Sequence, residues 1–190
     1  MINGPMLKAA IFSLNESMKK YGREINAEEI AGIIEGHAVT TALSAAASGV
    51  LPGVGSSIAL GIACTSTVIM YGRLANAMGV TLSKGLIKAL ASAVGADLSA
   101  FVATSVLSAA AISFIPFFGN MSAAAITGVS NFAFIYIAGI LFLKILSAFG
   151  IDRLESMSSD EIKNAAKSVQ EDIDLKTAMS EAKQAYKAKK

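Results

Sequence analysis

Charged residues are absent from two long stretches of this sequence, residues 38–72 and residues 98–143. Charged side chains are seldom buried without a partner, so a surface in contact with water normally carries them at short intervals. Stretches of this length therefore have no obvious face for water. They indicate either a hairpin buried in a protein core or a segment that lies in lipid, and we expect the lipid environment.

Most of the charge lies at the two ends of the chain. Between residues 38 and 151 the only charged side chains are Arg73, Lys84, Lys88, Asp97 and Lys144. The hydrophobic fraction is 54% and the charged fraction 16%, whereas soluble proteins average about 45–50% and about 25%. The net charge of +2 is too small to indicate a nucleic-acid partner.

Cysteine and histidine are nearly missing, because Cys64 and His37 are the single examples of each. One cysteine cannot form an internal disulfide, and no set of His and Cys residues has the spacing of metal ligands. We expect Cys64 to be an inert buried thiol. The sequence also lacks a nucleophile–base pattern and a phosphate-binding loop. We therefore predict no catalytic, cofactor-binding or metal-binding residues, and a protein that is not an enzyme.

Three isolated polar residues are candidates for a polar function: His37, Arg73 and Asp97. Glu35 lies two positions before His37, and residues two apart do not share a helix face. We therefore expect a hydrogen-bonded histidine at an interface, with a pH-sensing role as the alternative. We expect Asp97 to lie at a helix N-terminus, where the helix dipole favours a carboxylate, or to pair with Arg73 or a nearby lysine. The alternative is that Asp97 is an acid on an ion path at the membrane edge.

Amphipathic helices are predicted at both ends of the chain. Near the N-terminus, apolar residues recur every three or four positions up to Gly22, which suits a helix C-terminus. They are Leu7, Ile11, Leu14, Met18 and Tyr21. Near the C-terminus, Ser158 and Glu161 have the spacing of a capping box. The apolar phase shifts near residues 172–174, which indicates either two helices or one helix with a twisted stripe.

Two proline–glycine turns interrupt the apolar core and predict two helical hairpins. Small residues at four-residue spacing after each turn favour close helix packing. The turn and packing residues are Pro52, Gly53, Gly55, Gly61, Pro116, Gly119 and Gly128. The two halves align at an offset of about 64 residues, either through an ancient duplication or through independent use of one turn.

The predicted fold is all-α, with three segments. Residues 1–29 form the amphipathic N-terminal helix and its cap, residues 30–150 the double hairpin, and residues 151–190 a charged helical tail. The double hairpin divides into a first hairpin (30–79), a polar link helix (80–97) and a second hairpin (98–150).

The apolar helices have the lengths of membrane spans. A spanning helix needs about 20 apolar residues, and residues 122–143 meet this length. Residues 54–71 and 98–115 are borderline, and the short arm 38–51 either spans or is re-entrant. The basic residues lie on one side of the predicted hairpins, which makes that side, and both termini, cytoplasmic. No secretory signal is recognisable at the N-terminus, so we expect an internal segment to direct insertion.

The chain also resembles a known family. The similarity lies in residues 51–55 (LPGVG), 71–75 (YGRLA), 78–80 (MGV) and 115–119 (IPFFG). In this order these elements resemble the domain of unknown function 697, the YcjF-like domain of bacteria, over residues 30–145. The resemblance implies a domain in the bacterial inner membrane with no established catalytic residues, beside a GTPase-like domain. Because this chain has no GxxxxGK[ST] loop, such a partner would be a separate chain.

The leading hypothesis is a non-enzymatic integral membrane protein, with the lipid bilayer as its environment. It would act as an anchor, scaffold or self-assembling homo-oligomer, and its amphipathic ends would dock a partner or each other. The first alternative is a pore-forming or membrane-inserting effector that is soluble at first, as a helical bundle with its hairpins sheathed by the amphipathic ends. The second alternative is a soluble all-α carrier of an apolar ligand. No cofactor is expected in any of the three.

Overall fold

The described part of the chain is helical throughout. The computed structural model describes residues 4–48, 55–112 and 123–189, and these ranges contain helices and no strands. The helices in chain order are α1 (Pro5–Lys19), α2 (Ala27–Ser48), α3 (Gly55–Ala77), α4 (Lys84–Ile112), α5 (Ala123–Phe149), α6 (Ile151–Ser156), α7 (Ser159–Glu171) and α8 (Leu175–Ala188). The predicted all-α class is confirmed.

Local signals in the sequence explain where most helices begin and end. Pro5 occupies the first turn of α1, where its missing N–H costs nothing. After α1, α3 and α5 the chain passes through Gly22, Gly79 and Gly150, whose φ angles lie between 67° and 75°. Glycine adopts this left-handed conformation without steric strain, and so it ends helices readily.

Capping side chains open the helices that follow. The Asn26 side chain accepts hydrogen bonds from the backbone N–H groups of Glu28 and Glu29 at the start of α2. Ser158 and Glu161 form the predicted capping box at the start of α7. Helix α7 ends at Glu171 and α8 begins at Leu175, so the shift of apolar phase near residues 172–174 separates two helices.

Helix α4 corrects one predicted boundary. A polar link helix at 80–97 followed by a separate arm from residue 98 is wrong, because Lys84–Ile112 is one continuous helix. Leu90, Val94 and Leu98 are all fully buried and stand four residues apart, so one apolar stripe runs across the expected break. Asp97 lies on the exposed side of this helix, where a single charge does not interrupt it.

Helix α5 lies at the centre of the bundle. Every residue from 131 to 143 is buried, and α1, α2, α3, α4, α7 and α8 all contact this helix. Helix α2 runs antiparallel to it, since Ile34 lies beside Gly139 while Ala42 lies beside Gly128. The three predicted segments therefore share one hydrophobic core, with the second half of the second hairpin in its middle.

The amphipathic helices cover this core with their apolar stripes. The stripe of α1 consists of Leu7, Ala10, Ile11, Leu14 and Met18, that of α7 of Ile162, Ala165, Ala166 and Val169, and that of α8 of Ala178, Met179 and Ala182. Tyr21 departs from the predicted stripe and is exposed. The apolar stripes at both ends of the chain thus pack against the core that contains α5.

Candidate functional site

The most distinctive site is the enclosed helix α5 together with the groups that enclose it. Three described helical segments are long and apolar enough to cross a membrane: Ala27–Ala47, Lys84–Val102 and Thr127–Phe149. The most apolar stretch of 18 residues lies in the α5 segment, where the mean hydropathy is 2.2 and 78% of the stretch is buried. The corresponding stretches of the α2 and α4 segments are 39% and 33% buried. The helix best suited to lipid is therefore the one most completely shielded from water.

Small residues let α2 approach α5 closely. A Cβ atom built on Gly139 would lie 2.8 Å from both Cγ1 and Cγ2 of Ile34. A Cβ built on Gly128 would lie 3.2 Å from the Tyr186 hydroxyl oxygen and 3.5 Å from the carbonyl oxygen of Ala42, and the second distance is ordinary van der Waals contact. Gly139 therefore permits the close approach of α2 to α5, while the packing role of Gly128 stays a prediction.

An aromatic pair joins α3 to α5. The Tyr71 ring stacks on Phe142 with centroids 4.1 Å apart. Its hydroxyl donates a 3.0 Å hydrogen bond to the carbonyl oxygen of Ala138. Tyr71 is fully buried, so this bond satisfies a hydroxyl that would otherwise be costly to bury.

Glu181 of α8 is the buried charged group of the described core. Only 6% of this residue is exposed, although it lies among the apolar residues of the α8 stripe. Its carboxylate accepts hydrogen bonds from the N–H groups of Met6 (2.7 Å) and Leu7 (3.1 Å) at the start of α1. It also accepts one from the Tyr136 hydroxyl of α5 (2.9 Å). One side chain thus connects the first helix, the central helix and the last helix.

Two further contacts hold the C-terminal part of α8 on the bundle. Tyr186 packs edge-on against Phe132 of α5, with ring centroids 5.2 Å apart. Lys189, just after the helix, forms a 2.8 Å ion pair with Glu35 of α2. The contact of Glu181 with Tyr136 and that of Tyr186 with Phe132 show that α8 lies antiparallel to α5 over much of its length.

The caps of α7 and α8 carry acids with lowered pKa values. The backbone and side chain of Ser158 donate hydrogen bonds to Glu161 and hold the pKa of that carboxyl below its usual value. The side chain and backbone of Thr177 do the same for Asp174, whose pKa is also lowered. Hydrogen bonds to the ionised form cause these shifts, so the caps depend on ionised carboxylates.

His37 and Arg73 meet at the interface of α2 and α3. Arg73 lies 3.4 Å from His37 Nε2, and His37 Nδ1 lies 3.2 Å from the Ser66 hydroxyl. Arginine only donates, so Nε2 accepts and the ring proton is on Nδ1, directed at Ser66. Thr41 donates to the same hydroxyl at 2.6 Å. In this arrangement His37 does not accept the Ser66 proton, so the cluster lacks the geometry of an activated nucleophile.

Asp97 is placed away from that cluster. It lies on the outer side of α4, at an open groove shared with the α7–α8 junction and lined also by Lys167 and Lys176. Within the described ranges no ion pair joins Asp97 to Arg73 or to the lysines of α4. Asp97 also lies inside α4, so the expected position at a helix N-terminus is wrong.

The remaining predicted residues have mixed outcomes. Cys64 is exposed, so the prediction of a buried thiol is wrong; its neighbour Ala63 faces the core instead. Gly55 is the first residue of α3, and Gly61 lies within α3, but its packing is outside what the structure describes. The turn residues Pro52, Gly53, Pro116 and Gly119 also lie outside the described residues.

The described residues of the two uncharged stretches, 38–48, 55–72, 98–112 and 123–143, give the bundle no charged side chain, and large apolar side chains are rarely exposed on the bundle. In the described part of the chain the large hydrophobic residues that are exposed are Phe12, Tyr21, Leu43 and Ile69. Such isolated residues are common on proteins in water. Within the same ranges no group of three or more His, Cys, Asp and Glu residues is placed to hold a metal ion.

Sequence reasoning missed Glu181. The signal was a single acid inside the apolar stripe of an amphipathic helix, between Met179 and Ala182. Its partners on α1 and α5 are distant in the chain, so no local pattern reveals them.

Comparisons with known proteins found no relative of this chain. No protein-family model matches the chain, and no curated protein or solved structure is significantly similar to it. The resemblance to the YcjF-like domain stays a prediction.

Proposed function

We propose that this chain is a membrane-inserting protein, folded in water as a helical bundle, that delivers its apolar hairpin of α4 and α5 into a lipid bilayer. The observation that carries the proposal is the enclosure of α5. The largely apolar segment Thr127–Phe149 of α5 has 23 residues and is about 35 Å long at 1.5 Å per residue. That length crosses a hydrocarbon layer of about 30 Å.

Helix α5 cannot span a bilayer while the amphipathic helices α7 and α8 remain packed against it. Helices α7 and α8 pack against it and carry charges on their outer faces, among them Lys163, Lys167, Glu171, Lys176 and Lys187. A charge in the middle of a bilayer costs about 2.5–3.5 kcal/mol on an insertion scale. Five such charges would cost more than about 10 kcal/mol. Helices α7 and α8 must therefore separate from α5 before it enters lipid.

Lipid would then surround α5 in place of these helices. Burial of apolar surface drives both arrangements, at about 25 cal/mol per Å², so exchange of protein contacts for lipid contacts loses little. The backbone groups of a helix are satisfied within the helix, which makes it stable in lipid. Helix α4 accompanies α5 because the uncharged stretch 98–143 runs through both.

The test is release of a trapped dye from vesicles. Purified protein without detergent is added to vesicles of phosphatidylethanolamine and phosphatidylglycerol that contain calcein. We expect dye release, and flotation of the protein with the vesicles. When the protein binds vesicles, the amide exchange rate should rise in α7 and α8 and stay low in α5. A protein that stays in the aqueous fraction and releases no dye between pH 4 and pH 7 contradicts the proposal.

A matched pair of variants identifies the inserted segment. Ala100 on α4 and Ser168 on α7 are both exposed, so lysine at either position leaves the bundle intact. Ala100 lies inside both the uncharged stretch and the apolar segment Lys84–Val102, whereas Ser168 lies outside every candidate span. A charge costs about 2.5–3.5 kcal/mol at the centre of a spanning helix and less near its end, so Ala100→Lys should lower insertion by about tenfold. Ser168→Lys should leave insertion within about twofold, and equal effects of the two variants contradict insertion of α4.

A second candidate function is the constitutive membrane anchor. The outer faces of α2, α3 and α4 favour it, because exposed positions such as Thr40, Ser44, Cys64, Thr65 and Ala100 carry no charge. The protein would then reside in a bacterial inner membrane with cytoplasmic termini, as a homo-oligomer or beside a GTPase-like partner. A charged maleimide distinguishes the two: Cys64 should react fully in the water-exposed bundle and remain protected in a constitutive anchor.

A further inference from the structure

Three parts of the chain that are far apart in sequence meet at one carboxylate. Oε2 of Glu181 accepts from the Met6 N–H, and Oε1 accepts from the Leu7 N–H and the Tyr136 hydroxyl. Both oxygens are therefore engaged. The donors belong to the first turn of α1 and to the middle of α5, while the acceptor belongs to α8.

The charge of Glu181 is balanced by α1 itself. Within the described residues the ion pairs are Lys19–Glu16 and Lys189–Glu35, and neither involves Glu181. Its compensation comes from two N–H groups at a helix N-terminus, where the helix dipole favours a negative charge. If α1 left alone, the carboxylate would lose two charge-assisted hydrogen bonds and keep that from the Tyr136 hydroxyl, which is unfavourable.

Gly4 makes room for this contact. A Cβ atom built on Gly4 would lie 2.0 Å from Oε1 of Glu181 and 2.3 Å from the Tyr136 hydroxyl oxygen. The Gly4 φ angle is −88°, which any residue adopts. The requirement for glycine at this position therefore arises from space and not from backbone conformation.

We propose that Glu181 is a latch that holds α1 and α8 on α5 and makes these two of the three amphipathic helices leave together. This inference rests on the proposed function, since it names the contact that restrains the inserting helix. Release of α8 withdraws the acceptor from the start of α1, and release of α1 leaves the α8 carboxylate with the Tyr136 hydroxyl in place of three donors. Opening at either end of the chain therefore promotes opening at the other.

The first test uses amide exchange in plain buffer and needs no lipid. Glu181→Gln should raise the exchange rate of α1 and α8 in parallel, by about tenfold, because charge-assisted hydrogen bonds contribute more than neutral ones. Gly4→Ala should do the same by displacing the carboxylate. The controls are Glu16→Gln, which removes an exposed ion pair of α1, and Gly32→Ala, which adds a Cβ where nothing lies within 4 Å. A rise confined to α8, or no rise in either helix, overturns the latch.

The second test measures the rate of dye release from vesicles. Both latch variants should release calcein about tenfold faster than the unmodified protein, with both controls within about twofold. Should either variant fail to fold, Tyr136→Phe removes a single donor and leaves the rest of the site in place. Unchanged release by the latch variants of a protein that is active on vesicles overturns the proposal. An unmodified protein that releases no dye contradicts the proposed function instead, and amide exchange then decides the latch alone.

Discussion

Alanine at Gly139 tests whether α2 packs on α5 in water. The added Cβ would lie 2.8 Å from Cγ1 and Cγ2 and 2.9 Å from Cδ1 of Ile34. Ile34 is fully buried and branched at Cβ, so its Cγ atoms cannot move away without a shift of the backbone. The substitution therefore forces the two helices apart or strains a rotamer.

The expected magnitude is a balance of two terms. Overpacking of a well-packed core costs about 1–3 kcal/mol, and replacing glycine by alanine inside a helix gains about 1 kcal/mol. Gly139→Ala should therefore lower the free energy of unfolding by about 0–2 kcal/mol. Gly36→Ala on the outer face of α2, where nothing lies within 4 Å, should raise it by about 1 kcal/mol.

Ile34→Ala completes a double-mutant cycle. Alone it should cost about 2–5 kcal/mol, as for other large-to-small core changes. In that background the atoms that obstruct the new Cβ are gone, so Gly139→Ala should become stabilising by about 1 kcal/mol. The two changes should thus show a coupling energy of about 1–3 kcal/mol.

Urea unfolding followed by far-UV circular dichroism in detergent-free buffer gives these free energies. The chain has no tryptophan, so circular dichroism is the suitable probe. Equal stabilisation by Gly139→Ala and Gly36→Ala, together with a coupling energy near zero, would refute the α2–α5 contact and the enclosure of α5 that depends on it.

Further predictions concern acid, the buried tyrosine and the thiol. The pKa values of Glu161 and Asp174 are lowered from 4.5 and 3.8 in the folded protein. Their contribution to stability is thus complete above those unfolded values and is lost as the pH falls through the folded ones. The melting temperature from circular dichroism should drop below about pH 4, and a flat profile from pH 5 to pH 2 contradicts this dependence. Tyr71→Phe should lower the free energy of unfolding in urea by about 1 kcal/mol, because the bond to the Ala138 carbonyl is lost; an unchanged midpoint would contradict the bond. Cys64 should react with a maleimide in the native protein at the same rate as in urea, and strong protection would show that its face of α3 is covered.

The helices and their ends could largely be predicted from the sequence, because the responsible interactions are local. Gly22, Gly79 and Gly150 end helices through their own backbone conformation, and Ser158 with Glu161 caps α7 within one turn. The apolar stripe of α1 follows from spacing alone. The continuity of α4 does not follow from the sequence pattern, because a charged residue such as Asp97 stands at the start of an apolar stretch and yet is tolerated on the exposed side of one helix.

The candidate site could be predicted only in part. His37 and Arg73 stand out in the sequence as isolated polar residues of an apolar region, and they meet at the interface of α2 and α3. Their partner Ser66 had no distinguishing pattern. The orientation of Cys64 depends on which side of α3 faces the bundle, and a helix rich in small residues on all sides has no clear apolar stripe from which to predict that orientation.

The sequence by itself determined that this chain is helical and that α5 is apolar enough for lipid, since both properties depend on composition and on neighbours within a few turns. Only the tertiary structure decided what surrounds α5. A helix that is apolar on every side can be shielded by lipid or by other helices, and its own residues do not distinguish the two. The choice depends on long-range contacts such as that of Glu181 with α1 and Tyr136, which bring the two ends of the chain together over the centre.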